Sequence, residues 1–155
     1  MSYAKKYAKE VELFVKVTGR LASNVYVTGF GGNAAWKLDK DVILITPTQV
    51  YKGDITPTDV VFINRAGDTL EGTRRPTGEK PMYLTFFEKR PDIVSVIHCH
   101  PPSVCATVIL KNSKFLMRPF YPETTTEVGP VPVVPYAQPL TKQLGKNFEP
   151  FLQKY

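Results

Sequence analysis

The sequence predicts an α/β domain with a central, largely antiparallel sheet covered by helices, and three observations point to it. An amphipathic stripe runs along the N-terminal segment; short apolar runs with turn punctuation follow it; helical patterns then flank a last apolar run, Ile93-Val94-Ser95-Val96-Ile97. At 155 residues the chain is long enough for one domain with its own core, burying on the order of two thirds of its unfolded surface.

Tyr7, Val11, Phe14, Val15, Thr18 and Leu21 share one helical stripe, while Lys5, Lys9, Glu10, Glu12 and Lys16 fall mostly off it. Residues 3–21 therefore read as an amphipathic helix that frays at Gly19. Strands are expected at Val25-Tyr26-Val27, at 34–38, at 42–46 and at 60–63, the last closed by the turn Asn64-Arg65-Ala66-Gly67-Asp68. Pro81 suits the first turn of a helix capped near Thr77 or Gly78, with Tyr83, Phe86 and Phe87 on its buried face and an end near Arg90-Pro91-Asp92. After the apolar run, 103–110 reads as helix, 111–129 as a long connection and 130–135 as an extended Val/Pro segment. Residues 139–155 read as a last helix, with Leu140, Leu144, Phe148, Phe151 and Leu152 on its apolar side despite Pro150. No repeat, low-complexity tract or interdomain linker interrupts this order.

Both histidines of the chain fall in one tripeptide, His98-Cys99-His100, at the end of what reads as a buried strand. Strand side chains alternate with a period of two, so both imidazoles point to one face, close enough to chelate one metal ion. An isolated strand histidine is ordinarily a satisfied core or surface residue, but having both histidines at this spacing favours a metal. Pro101-Pro102 stops the strand at once, leaving His100 at the sheet's edge, where ligands bind in open α/β sheets. Cys99 faces the other way, as a small buried apolar residue.

Composition narrows the function classes. No run approaches the ~20 apolar residues of a membrane helix, and the Lys-rich start lacks an apolar signal core. Two cysteines, Cys99 and Cys105, make no disulfide framework, so a cytoplasmic protein is expected. The net charge of +6 is spread along the chain without the stacking aromatics of an RNA-binding sheet. Nucleic acid and membrane are set aside as partners, and a small anionic substrate such as a phosphorylated metabolite accounts for the basicity.

Three further segments could converge on the histidines. Thr28-Gly29-Phe30-Gly31-Gly32-Asn33 is a glycine-rich loop whose backbone amides could approach an anion, although such runs are more often simple turns. Ile45-Thr46-Pro47-Thr48-Gln49 offers hydroxyls at a strand end. Arg75-Pro76-Thr77-Gly78-Glu79 places a hydroxyl, a glycine and a carboxylate at a helix N-terminus, where a phosphate is favoured, and where Glu79 also has an ordinary role in dipole compensation.

Taken in order, Gly32-Asn33, Ile45-Thr46-Pro47-Thr48, Pro76-Thr77-Gly78-Glu79 and His98-Cys99-His100 resemble the class II aldolase/adducin family, from about residue 7 to the C-terminus. The resemblance implies a three-layer α/β/α fold and a single domain over residues 1–155 that is the N-terminal portion of a longer domain. It implies a zinc-dependent aldolase cleaving a ketose 1-phosphate of the fuculose or rhamnulose type to dihydroxyacetone phosphate and an aldehyde, in a homotetramer with sites between subunits. Zn2+ would be held by His98 and His100, with Glu79 approaching the metal and acting as catalytic acid/base. Gly32, Asn33, Thr48, Gln49, Thr77 and Gly78 would bind the phosphate. Tyr121 is the candidate for the tyrosine that similar aldolases bring from a neighbouring subunit.

The same resemblance frames the alternatives. Similar pentulose-phosphate epimerases carry Asp where this chain has Glu79, which favours aldolase over epimerase; a dehydratase on the same scaffold is the other enzyme alternative. Adducin-like, non-catalytic members tend to lose the zinc residues that are kept here. Where the family commonly reads T-P-T-G, this chain has Gln49 after Thr48, so the Gln side chain could replace a backbone contact. The family's third zinc histidine is expected in an N-H-G or H-H-G segment beyond Tyr155.

Overall fold

In a computed structural model of the chain, which describes residues 2–110, 113–119 and 121–154, the N-terminal stripe folds as two helices rather than one. Expectations that touch positions 1, 111, 112, 120 and 155 lie outside the described residues. Helix α1 (Tyr3–Lys6) breaks from α2 (Ala8–Ser23) at Tyr7, whose φ of −114° and ψ of 34° leave the helical region. The break accompanies burial of the Tyr7 ring against Phe62, with ring centroids 6.3 Å apart, and a hydrogen bond from its hydroxyl to Asp39 Oδ2 at 3.2 Å. Two free amides of the first turn are satisfied from a distance, Tyr3 N and Ala4 N donating to the Glu71 carboxylate at 2.7 and 3.1 Å.

Gly19 does not end α2. The helix closes in a Schellman-type motif in which Tyr26 N donates to Leu21 O at 2.9 Å and Val25 N to Ala22 O at 3.1 Å. Val25 takes φ 60°, the left-handed conformation this motif requires, so the expected strand at 25–27 does not form.

Five strands form one sheet in the order β4-β3-β2-β1-β5: β1 (Asn33–Asp39), β2 (Val42–Ile45), β3 (Val61–Ile63), β4 (Thr69–Glu71) and β5 (Ser95–His98). Every neighbouring pair is antiparallel. β4 follows the 64–68 turn where no strand is expected from sequence; its Thr-Leu-Glu carries no apolar alternation, and backbone pairing with β3 defines it.

All four β2 residues are buried, because both faces of the sheet are covered. Val42 and Leu44 join Tyr7, Val11, Phe14 and Phe62 beneath the N-terminal helices. Ile43 and Ile45 join Val61, Ile63, Tyr83 and Phe87 on the opposite face, under α3 (Lys80–Lys89) and the Leu144 and Phe148 side chains of α5 (Lys142–Leu152). This is the three-layer α/β/α arrangement. Gly145 allows α5 to approach α3 closely, since a Cβ there would lie 2.5 Å from Thr85 Oγ1.

The histidine-bearing run is less covered than its apolarity implies. β5 is an edge strand, with Val94 54% and Ile97 47% exposed, so the expected buried strand is half open. Helix α4 (Pro102–Ile109) buries no residue, and the expected connection after it contains a 3-10 turn (Ser113–Met117) and a π-helical turn (Thr124–Val128). Among the described residues, no helix is long and apolar enough to cross a membrane.

A β-branched residue in the left-handed region costs about 1–2 kcal/mol, part of which glycine loses again through unfolded-state entropy. Val25→Gly is therefore expected to raise stability by about 1 kcal/mol in urea unfolding. A loss of stability would show that α2 does not end in this motif.

Candidate active site

The β1–β5 register sets Asn33 directly opposite His98. Asn33 emerges from the glycine loop, which packs closely on β5: a Cβ on Gly32 would meet the Val27 side chain and lie 3.0 Å from His98 O, and its φ of 69° also favours glycine. From this position Asn33 Nδ2 donates to Glu79 Oε2 at 2.9 Å, while its Oδ1 accepts from the Tyr83 hydroxyl. The same Glu79 oxygen lies 2.6 Å from His98 Nδ1. His98 Nε2 then faces His100 Nε2 at 3.0 Å, with the two rings edge to face and their centroids 4.7 Å apart. The expected convergence of both imidazoles on one side is present, although the strand itself stops at His98 and His100 is held by its own amide, which donates to Tyr26 O at 2.7 Å.

The electrostatics follow from this chain of contacts. Burial pushes the Glu79 carboxyl up, but the hydrogen bond and charge of His98, with the Asn33 amide, outweigh it and hold Glu79 below its ordinary value. Burial and the charge of His98 lower His100, with Glu79 opposing them, so its ring is neutral at neutral pH. Burial, helped by the Glu79 charge, raises Tyr83 and keeps its hydroxyl a donor. An ionised Glu79 accepts from His98 Nδ1–H, which turns the other ring nitrogen, Nε2, toward His100.

The chemistry of this donor set fits a soft-to-borderline cation: two imidazole nitrogens converge, and a carboxylate fixes one ring from behind. Glu79 sits on the Nδ1 side of His98 rather than beside the Nε2 pair. Among the described residues, no group of three His, Cys, Asp or Glu side chains is arranged to hold a metal ion.

The three loop segments meet beside the histidines. Thr77 N donates to Thr46 O and Thr48 N to Arg75 O, each at 3.0 Å, so the strand-end loop and the segment before α3 run side by side. Thr46 Oγ1 accepts from Ala34 N at 3.2 Å and joins both to the start of β1. The amides of Gln49 and Gly78 have no acceptor among the described residues. Gln49 takes φ 57°, so this chain keeps a left-handed turn, readily made by glycine, with an exposed glutamine in place. Helix α3 begins at Lys80 with Glu79 at its cap position, and Thr77 contributes its Oγ1 as acceptor for Glu79 N at 3.3 Å.

Two expectations land away from this cluster. Tyr121 is 68% exposed, and no hydrogen bond among the described residues joins it to the histidines. Cys99 is half-buried rather than buried, and Cys105 is exposed; both are free thiols. Conversely, Tyr83 reads from sequence as core only, yet its hydroxyl supports Asn33; the available signal was a Tyr four residues after Glu79, on the same helical face.

Tyr83→Phe preserves the buried ring but leaves Asn33 Oδ1 without this donor. The expected cost is about 1–3 kcal/mol in urea unfolding, and a change below about 0.5 kcal/mol would mean that the hydroxyl does not hold Asn33.

A sequence model of the Class II Aldolase and Adducin N-terminal domain matches residues 12–155. The chain is 27% identical over 143 residues to 3-oxo-tetronate 4-phosphate decarboxylase of Pectobacterium atrosepticum, covering 91% of this chain and 65% of that protein. It is 36% identical over 87 residues to L-fuculose phosphate aldolase of Methanocaldococcus jannaschii, covering 56% of this chain and 46% of that protein. It thus spans less than two thirds of either relative. The crystal structure of Escherichia coli YgbL superposes with a TM-score of 0.85 at 25% identity, over 93% of this chain and 70% of that one. With the antiparallel three-layer sheet and the ordered loops around the His98–Glu79 contact, these matches lead to one conclusion: the chain belongs to the class II aldolase and adducin family.

Proposed function

We propose that the protein is a zinc-dependent lyase that splits a ketose 1-phosphate of the fuculose or rhamnulose type into dihydroxyacetone phosphate and an aldehyde. The observation that carries this reading is the pair of Nε2 atoms 3.0 Å apart on His98 and His100, with Glu79 fixed on the other nitrogen of His98. Zinc held by these two nitrogens would supply Lewis-acid polarisation of the substrate's oxygens.

The chain's own residues supply the rest. Glu79 orients His98 through Oε2, while Oε1, which has no hydrogen bond among the described residues, is available to move a proton on carbon. In retro-aldol cleavage the ionised Glu79 takes the proton of the substrate hydroxyl and the adjacent carbon–carbon bond breaks. The electron pair of that bond passes to the carbon beside the ketone, which then takes that proton back from Glu79, leaving the carboxylate ionised again. Asn33 and Tyr83 hold the carboxylate in place during this exchange. The hydroxyls of Thr48 and Thr77 and the amides of Gln49 and Gly78 bind the phosphate, with Gly32 and Asn33 forming the opposite wall. In a cytoplasmic homotetramer, the exposed Tyr121 would serve an adjacent subunit's site.

A second reading is favoured by the relative with the broadest match of the two, which is named as a 3-oxo-tetronate 4-phosphate decarboxylase. Decarboxylation of a 3-oxo acid breaks the bond from the carboxylate to the carbon beside the ketone, releases CO2 and sends the electron pair to that same carbon. The same residues would serve it, so the product decides. Zinc-loaded protein is to be incubated with fuculose 1-phosphate, rhamnulose 1-phosphate and a 3-oxo-tetronate 4-phosphate. Dihydroxyacetone phosphate from a ketose 1-phosphate supports the aldolase; CO2 from the oxo acid alone transfers the assignment to decarboxylation. A product that keeps every carbon, as an epimerase would make, contradicts both. With the cleaved substrate, Glu79→Gln should lower turnover by ~10²-fold or more while zinc stays bound, and unchanged turnover would remove Glu79 from the mechanism.

A further inference from the structure

Lys52 is 2% exposed, and among the described residues no carboxylate lies within 4 Å of its Nζ. Its ammonium donates instead to two backbone carbonyls, Val50 O at 2.7 Å and Phe30 O at 3.2 Å. These carbonyls belong to the two loops that face each other across the candidate phosphate site. Phe30 lies between Gly29 and Gly32 on the approach to Asn33, and Val50 directly follows Thr48 and the left-handed Gln49. One side chain therefore ties the glycine loop to the strand-end turn.

The charge has a separate consequence. Buried lysines are nearly always paired with an acid, because carbonyl dipoles replace only part of the lost hydration of an ammonium. Of three ammonium protons, two have acceptors among the described residues. Burial, with no acidic partner among the described residues, holds the Lys52 pKa below its ordinary value. An anion bound between the two loops would supply a counter-charge.

We propose that Lys52 is a positioning residue that clamps the glycine loop to the Thr48-Gln49 turn and places an uncompensated positive charge behind them, so that the site selects a phosphorylated ligand over its neutral counterpart. This rests on the reading above that a sugar phosphate binds in these loops. A staple without electrostatic effect would hold both kinds of ligand equally well; the charge favours only the anion.

The test is Lys52→Met, which keeps the apolar stem and removes the charge and its donors. Calorimetric titration of the zinc-loaded protein with dihydroxyacetone phosphate and with dihydroxyacetone gives the affinity ratio. Lys52→Met is expected to weaken dihydroxyacetone phosphate by ~10-fold or more, with zinc content and dihydroxyacetone affinity changing less than about twofold. Equal weakening of both ligands, or of neither, overturns the proposal while leaving the sugar-phosphate reading intact. A wild-type protein that binds both ligands alike overturns the proposal and that reading together. If the Met variant loses its melting transition, Lys52→Gln, which keeps a neutral donor for the carbonyls, is read by the same ratio.

Discussion

The 2.6 Å contact between Glu79 Oε2 and His98 Nδ1 joins the start of α3 to the end of β5, and the arrangement of the site depends on it. A carboxylate at this depth is stable as an anion only because it accepts from His98 and from Asn33. Those bonds in turn fix the His98 ring, so that the remaining nitrogen faces His100. Asn33 is itself held by Tyr83, a side chain buried in the core beneath α3. The polar chain Tyr83–Asn33–Glu79–His98–His100 thus runs from the packed interior to the half-open edge of the sheet. Each member has a donor or acceptor that the next one requires.

The three-layer fold supplies the rigidity this chain needs. β1 lies between β2 and β5, and Asn33 stands at its first residue, so the sheet sets where the amide meets Glu79 and where His98 lies opposite. Helix α3 is packed on the sheet through Met82, Tyr83 and Phe87, which fixes Glu79 at its head. Strain gathers around the mouth. Of the three non-glycine residues with positive φ among the described residues, Gln49 sits in the strand-end loop and Leu140 abuts Gly78, 2.8 Å from where a Cβ would be. Such conformations persist where surrounding structure determines them, and they commonly mark binding loops.

Much of this was legible from residue order. Both imidazoles lie on one side, as the period of two leads one to expect, although His100 stands beyond the strand and is held by its amide on Tyr26 O, and the strand-end loop runs beside the segment before α3. Legibility failed wherever tertiary contact overrode local pattern. Val25-Tyr26-Val27 has the composition of a strand, but hydrogen bonds to Leu21 and Ala22 turn it into a helix exit. Tyr7 fits a continuous helical stripe, yet its contacts with Phe62 and Asp39 accompany a break in the helix. Thr69-Leu70-Glu71 becomes a strand only by pairing with β3. The apolar run before His98 looks buried because apolarity alone does not distinguish an edge strand from a central one. Tyr83 was visible as core, but its hydroxyl's task depends on Asn33, fifty residues away in sequence.

Nitrogen-15 NMR of histidine-labelled protein measures the central claim most directly, because it reports which ring nitrogen of His98 carries the proton. Without metal, His98 is predicted to carry a proton on Nδ1, bonded to Glu79, and added zinc should shift Nε2 of both His98 and His100 while Nδ1 of His98 keeps its proton. A His98 that is the Nε2–H tautomer, or that binds zinc through Nδ1, would contradict the account.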